Sequence, residues 1–193
     1  MSEILAQIQR LATQHAADTV ALRRHLHAHP ELSFEETNTA AFVTRELEKL
    51  GLQPRPIANT GVVALIEGLP GGPTIALRAD MDALPILEAN DVPYKSTNPG
   101  VMHACGHDVH TASLLGAARI LNELKGEFKG NIKLMFQPGE ERLPGGASLM
   151  IKEGVLENPA VSRVLGQHVF PHLPRARWAC AQAATWPAPT SCT

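Results

Sequence analysis

Apolar residues recur every three or four positions at the start of the chain, where Ile4, Leu5, Ile8, Leu11 and Ala12 share one face of a predicted helix with Ser2 as its N-cap. Val20, Leu22 and Leu26 continue the apolar set toward His29-Pro30, where a residue preceding proline is pushed out of the helical region and the helix should end. A second helix is predicted over Glu35 to Leu50, with Ala41, Phe42, Leu47 and Leu50 inward and Gly51 just past its end. The period then shortens. Val62 to Ile66 and Thr74 to Leu77 are short apolar runs that read as buried strands joined by a Gly/Pro-rich turn. Residues 88–103, rich in Pro, Asn and Gly, read as loop. Asp108 to Leu124 returns to helical spacing, with Ala112, Leu115, Ala118, Ile120 and Leu121 inward. Ile132 to Phe136 is a third strand, Ala147 to Lys152 a short helix, and Val164 to Val169 a fourth strand. Alternating strands and helices predict an α/β fold, a mostly parallel sheet flanked by helices.

Composition narrows the class. The 193 residues are 44% hydrophobic and 19% charged, enough for a packed core and too apolar for wholesale disorder. A formal net charge of -2 argues against nucleic-acid or anionic-membrane partners. No apolar run reaches the roughly 18 residues of a membrane span, and residues 1–30 hold no apolar stretch of the secretory type. With three cysteines, a reduced cytoplasmic chain is expected. The segment Arg175 to Thr193 stands apart. It contains no Leu, Ile, Val, Phe, Met, Asp or Glu, yet holds both tryptophans, Trp178 and Trp186, with Cys180 and Cys192. It reads as a flexible tail or as a departure from the proper reading frame near Pro174. The expected division is therefore 1–174 as one unit and 175–193 as an aberrant tail.

Nine histidines against one tyrosine direct attention to where the histidines lie. The densest cluster is Met102-His103-Ala104-Cys105-Gly106-His107-Asp108-Val109-His110, between a loop and a helix start. Cys105 and His107 put two borderline-soft donors on one short segment, as zinc, manganese or nickel sites use. Asp108 can cap the helix or accept from a ligand histidine. The third strand runs into Gln137-Pro138-Gly139-Glu140-Glu141. Adjacent carboxylates repel, so a cation is their natural neutraliser, and one can bind metal while the other acts as a general base. His168 is expected inside the apolar fourth strand, near the same sheet edge. Asp80 and Asp82 follow a strand and share one side if the chain stays extended. Each cluster alone has an ordinary explanation: a buried cysteine, a solvated turn, a core histidine, capping aspartates. Four such clusters, each at or after a buried run, favour one shared metal site.

In this order the motifs resemble the M20 metallopeptidase family, in its amidohydrolase branch of hippurate hydrolases, N-acyl-amino-acid amidohydrolases and auxin-conjugate hydrolases. The matching stretches are Arg23 to Ser33, Leu77 to Pro85, His103 to Asp108, Gln137 to Glu141 and Gly166 to His168. The resemblance implies Cys105, His107, Glu141 and His168 as ligands of two divalent ions, manganese or zinc, with cobalt or nickel as alternatives. It implies Glu140 as the general base that activates water and then protonates the leaving amine, with Asp82 supporting the metal site. Asp80 stands where other M20 branches place a metal-binding histidine. The implied substrate is an N-acyl amino acid, hippurate-like or N-acetylated, and the implied fold is the M20 catalytic domain. A dipeptidase or carboxypeptidase of the same family, or an inactive remnant that only binds metal, are the alternative readings. Family members also carry a lid domain used for dimerisation and one further metal-binding histidine downstream. Neither has a counterpart after Pro174, so little turnover and poor solubility are expected of this chain by itself.

Overall fold

The computed structural model describes residues 3–170 and the pairs Ala179–Cys180 and Thr190–Ser191. Ser2, the expected cap, and nearly all of the 175–193 tail lie outside the described residues. The first apolar stretch forms two helices, α1 (Glu3–Gln14) and α2 (Ala16–Ala28), which meet at His15. As the proline signal predicts, α2 ends with His29 as its C-cap. Helix α3 (Thr37–Lys49) ends at Leu50, and Gly51 takes φ +75°, the left-handed conformation of a C′ glycine. Leu47 is buried and Phe42 and Leu50 pack on the core as expected, but Val43 takes the inward place that Ala41, which is exposed, was expected to hold. Helices α4 (His107–Glu123) and α5 (Gly146–Lys152) fall where the pattern placed them.

The strands are β1 (Arg55–Ile57), β2 (Gly61–Glu67), β3 (Leu69–Asp80), β4 (Lys129–Gln137) and β5 (Val161–Gly166), ordered β1-β2-β4-β3-β5 in one sheet. β6 (Ala179–Cys180) and β7 (Thr190–Ser191) pair separately. β3 runs parallel to both β4 and β5, and β1 and β2 add two antiparallel pairings on the far side. Sequence-adjacent β2 and β3 are not neighbours, because β4 enters between them.

Period-two alternation divides the sheet's side chains between two cores. Val62, Ala64, Ile66, Leu134, Phe136 and Ala79 pack with Val43, Leu47, Leu115 and Ala118 on the α2–α3–α4 face. Val63, Met135 and Ala76 point the other way, toward Met150 and Val155. On β4 this alternation turns Lys133 inward, where its ammonium donates to the carbonyls of Val155, Glu157 and Pro159 at 2.9, 2.7 and 3.0 Å. The edge strand β5 leaves Val164 and Leu165 exposed. It stops at Gly166, two residues earlier than required to hold His168, so His168 lies in an exposed irregular segment and not inside a strand.

Candidate metal centre

The parallel strands β3, β4 and β5 all finish on one edge of the sheet, with Asp80 opposite Gln137 and Arg78 opposite Gly166. In an α/β sheet this carboxyl edge is where connecting loops converge on a ligand. Here β3 delivers Asp80 and Asp82, β4 delivers Glu140 and Glu141, and the segment after β5 delivers His168. Helix α4 points its N-terminus at the same edge, bringing Cys105 and His107, and its positive dipole end faces the carboxylates. Its cap residue, Gly106, has φ +91°. A Cβ there would lie 2.4 Å from Val169 Cγ2, so glycine lets the His168 segment close onto the helix.

His107 is the hub. It is buried, and its Nδ1 lies 2.8 Å from the Asp82 carbonyl and 3.2 Å from Asp82 Oδ1. Two acceptors fix the proton on Nδ1, and Nε2 is buried with no hydrogen-bond partner among the described residues. That nitrogen lies 3.8 Å from both Asp80 Oδ1 and Glu141 Oε1. Burial resists a charge on this ring, but Asp82 and Asp80 outweigh it and hold its pKa above the ordinary histidine value. A positive partner at Nε2 is therefore favoured. Cys105 Sγ is 3.4 Å from His168 Nε2, while His168 Nδ1 donates to the Val169 carbonyl at 2.7 Å. Burial, followed by the charges of Glu141, Asp80 and Glu140, pushes the Cys105 thiol up to about 12. A thiolate at this position calls for a cation beside it.

Among the described residues, three groups of side chains bring ligand atoms within 4.8 Å of one another: Cys105, His107 and His168; Asp80, His107 and His110; and His107, Glu140 and Glu141. All three contain His107. A buried nitrogen with no hydrogen-bond partner among the described residues, a thiol whose pKa is raised by burial and by nearby carboxylates, and mixed S, N and O donors fit a divalent transition ion. The sequence-predicted residues Cys105, His107, Glu140, Glu141 and His168 are thus brought together, with Asp82 behind His107.

A model of peptidase family M20/M25/M40 matches residues 76–181. The chain belongs to that family. An N-acyl-L-amino acid amidohydrolase of Geobacillus stearothermophilus is 48% identical over 172 residues, which are 89% of this chain and 46% of that protein. The IAA-amino acid hydrolase ILR1-like 4 of Arabidopsis thaliana is 50% identical over 151 residues, 78% of this chain and 33% of that one. The solved structure of the Bacillus subtilis YXEP protein, named as a dinuclear metal binding peptidase from the M20 family, superposes with TM-score 0.76 at 44% identity, covering 88% of this chain and 45% of that chain. The chain spans less than half the length of these relatives. No helix among the described residues is long and apolar enough to cross a membrane.

The M20 frame is held by residues whose part was not read from sequence. Ser33 donates to Asp82 Oδ2 at 2.6 Å, and the Glu141 backbone N–H donates to the same oxygen at 2.9 Å. Burial by itself would raise the Asp82 pKa, but these donors, with His107 and the Glu140 backbone, hold it well below the usual carboxylate range. Glu36 is fully buried and accepts from Thr60 Oγ1 and, at 2.7 Å, from the Gly139 N–H, fixing the turn that presents Glu140 and Glu141. Burial raises the Glu36 pKa against these bonds. Phe34 packs on the same turn, where a Cβ on Gly139 would lie 2.4 Å from its ring. Asp108 neither caps α4 nor accepts from His107. It pairs with Arg23 and His27, each at 2.8 Å, and His27 in turn reaches Glu88 at 3.0 Å, tying the loop before Cys105 to α2.

Proposed function

We propose that this chain is the metal-binding part of an amidohydrolase that cleaves N-acyl amino acids into a carboxylate and an amino acid. The observation that carries the reading is the partnerless, buried Nε2 of His107 facing Glu141, with Cys105 and His168 beside it. Identity of 48% to an N-acyl-L-amino acid amidohydrolase supports the substrate class. In this reading Cys105, His107, Glu141 and His168 would hold two divalent ions, with manganese or zinc the first candidates for such a donor set. Bound ions supply Lewis acidity and make water easier to deprotonate.

The remaining work belongs to the chain. Glu140, exposed at the turn after β4, takes a proton from water as its oxygen adds to the amide carbon. The same carboxyl then delivers that proton to the nitrogen as the C–N bond breaks. Asp82 keeps the His107 proton on Nδ1, so Nε2 stays available.

The test is hydrolysis of hippurate and N-acetyl amino acids by the purified chain with manganese or zinc, a chelator control, and the Glu140→Gln variant. The expected outcome is turnover that is weak in this chain by itself but chelator-sensitive, and that Glu140→Gln abolishes without changing metal content. Turnover that survives the chelator, or full kcat in Glu140→Gln, overturns the assignment. Soluble, metal-loaded protein without turnover would mean that this chain binds metal but does not hydrolyse amides.

A further inference from the structure

We propose that Asp80 and His110 form a relay that places His168, and that Asp80 acts as a positioning residue in this chain and not as a metal ligand. His110 is buried in the first turns of α4, and its Nδ1 lies 2.6 Å from Asp80 Oδ1. Its Nε2 accepts the Val169 backbone N–H at 2.9 Å. A backbone N–H can only donate, so Nε2 carries no proton and the ring proton sits on Nδ1, facing Asp80. Asp80 therefore selects the tautomer that can receive Val169. Its other oxygen accepts from Arg78 Nη1 at 2.6 Å, and Arg78 Nε donates to Gln137 at 2.8 Å, which locks the carboxylate against the sheet edge. Thr111 fastens the Asp80 carbonyl to α4 at 2.7 Å.

The far end of the relay is the segment that β5 does not hold. Past Gly166 the chain has left the sheet, and the bond from Val169 to His110 ties its backbone to α4. The His168 and His110 rings pack with centroids 4.5 Å apart, and Val169 fills the space opened by Gly106. With its backbone held, His168 turns Nε2 toward Cys105. For His110 to ligate an ion itself, it would have to surrender either Asp80 or Val169.

The purpose of the relay rests on the reading of His168 as part of the metal centre, so the experiment separates the two. Long-range proton–nitrogen NMR of the full chain with labelled histidines, at pH 7 and free of metal, reports each tautomer. The expected spectrum has His110 protonated at Nδ1 and bare at Nε2. A His110 protonated at Nε2, or at both nitrogens, overturns the relay, and this needs no variant. In Asp80→Asn, the amide oxygen stays with the Arg78 guanidinium and the amide NH2 faces His110, so the ring proton moves to Nε2, against Val169. Cobalt(II) affinity is then expected to fall at least tenfold, His168→Ala to fall comparably, and the double variant to fall no further than His168→Ala. Independent, multiplying losses overturn the relay. Absence of cobalt binding by the unaltered chain would defeat the metal reading while leaving the tautomer spectrum to decide the relay.

Discussion

Asp82→Asn tests whether the centre is organised from behind His107. The carboxylate receives Ser33 and the Glu141 N–H on Oδ2 and His107 Nδ1 on Oδ1, while His107 also reaches the Asp82 carbonyl. An asparagine keeps the shape but has a single acceptor oxygen. Its NH2 cannot face His107, because that ring's proton is pinned by the backbone carbonyl as well. It must therefore face Glu141 N–H, leaving two donors opposed. Ser33 can rotate to accept, but the amide of Glu141 cannot. One stranded, part-buried N–H costs about 1–3 kcal/mol, and the loss of charge assistance on the remaining bonds adds about 1 kcal/mol. The expected deficit is about 2–4 kcal/mol at pH 7, a large part of the ~5–15 kcal/mol typical of a folded domain. Urea unfolding of the metal-free chain reads it as a midpoint lowered by about 1–2 M at an unchanged slope near 2 kcal/mol/M.

The pH dependence carries its own sign. The Asp82 pKa is depressed on folding, so its contribution is complete above the ordinary carboxylate pKa and is lost as pH falls through the lower, folded value. The deficit of Asp82→Asn should thus shrink on acidification. A deficit under about 0.5 kcal/mol at pH 7, within the range of a neutral surface change, or one that grows toward acid pH, would refute the reasoning.

Three further outcomes follow from individual residues. Gly106→Ala meets both a left-handed φ and Val169 Cγ2 at 2.4 Å, so it should cost about 1–2 kcal/mol and weaken zinc binding at least tenfold in a calorimetric titration; unchanged affinity would count against the docking of the His168 segment on α4. Lys133→Met removes the ammonium that three carbonyls share, that of Val155 buried and those of Glu157 and Pro159 part-buried, and should cost about 3 kcal/mol, a fall in Tm of roughly 6–12 °C by scanning calorimetry; a smaller fall would mean that the ammonium's own desolvation cancels its bonds. His103 is buried with neither ring nitrogen hydrogen-bonded among the described residues, and burial lowers its pKa to about 4. Its depressed value means that stability is complete above the unfolded pKa near 6.5 and falls by about 3 kcal/mol as pH drops toward 4, so His103→Phe should flatten that acid limb in unfolding experiments, and identical limbs would exclude His103 as the cause.

Much of this centre was legible because its chemistry lies in short local motifs. Cys105 and His107 are two residues apart, Glu140 and Glu141 are adjacent, and each pair sits where an apolar pattern starts or stops. The helices α4 and α5 could be read from apolar residues at helical spacing, and the strands β2 and β4 from short continuous apolar runs that are buried along most of their length. What escaped was set by pairings distant in sequence. The entry of β4 between β2 and β3 depends on which strands pair, and no local pattern encodes that. The early end of β5 leaves an apolar run, Val164 to Val169, that looks like a strand but is finished by contacts to α4. Ser33, Glu36 and His110 act across separations of 49, 103 and 59 residues, on Asp82, Gly139 and Val169. Only their polar character inside otherwise apolar or motif-bearing stretches marked them.

The distribution of fixed donors over the four carboxylates gives the centre its direction. Asp80 is held by Arg78 and His110, and Asp82 by Ser33, His107 and a backbone amide, so both are tied into the frame. Glu140 and Glu141 lie on the exposed side, where Glu141 approaches His107 Nε2. The frame carboxylates act on imidazole Nδ1 atoms, at His107 and at His110. By holding those protons, they turn a bare Nε2 from His107 toward the Glu141 carboxylate and from His110 toward Val169. Asp80 Oδ1 and Glu141 Oε1 both lie 3.8 Å from that His107 Nε2, so a cation placed there would be neutralised from two sides. Splitting the carboxylates into two that are tied into the frame and two on the exposed side leaves this nitrogen beside negative charge without a fixed donor, and it makes an aspartate at position 80 compatible with the proposed centre, in which the neighbouring thiol and histidines would be ligands.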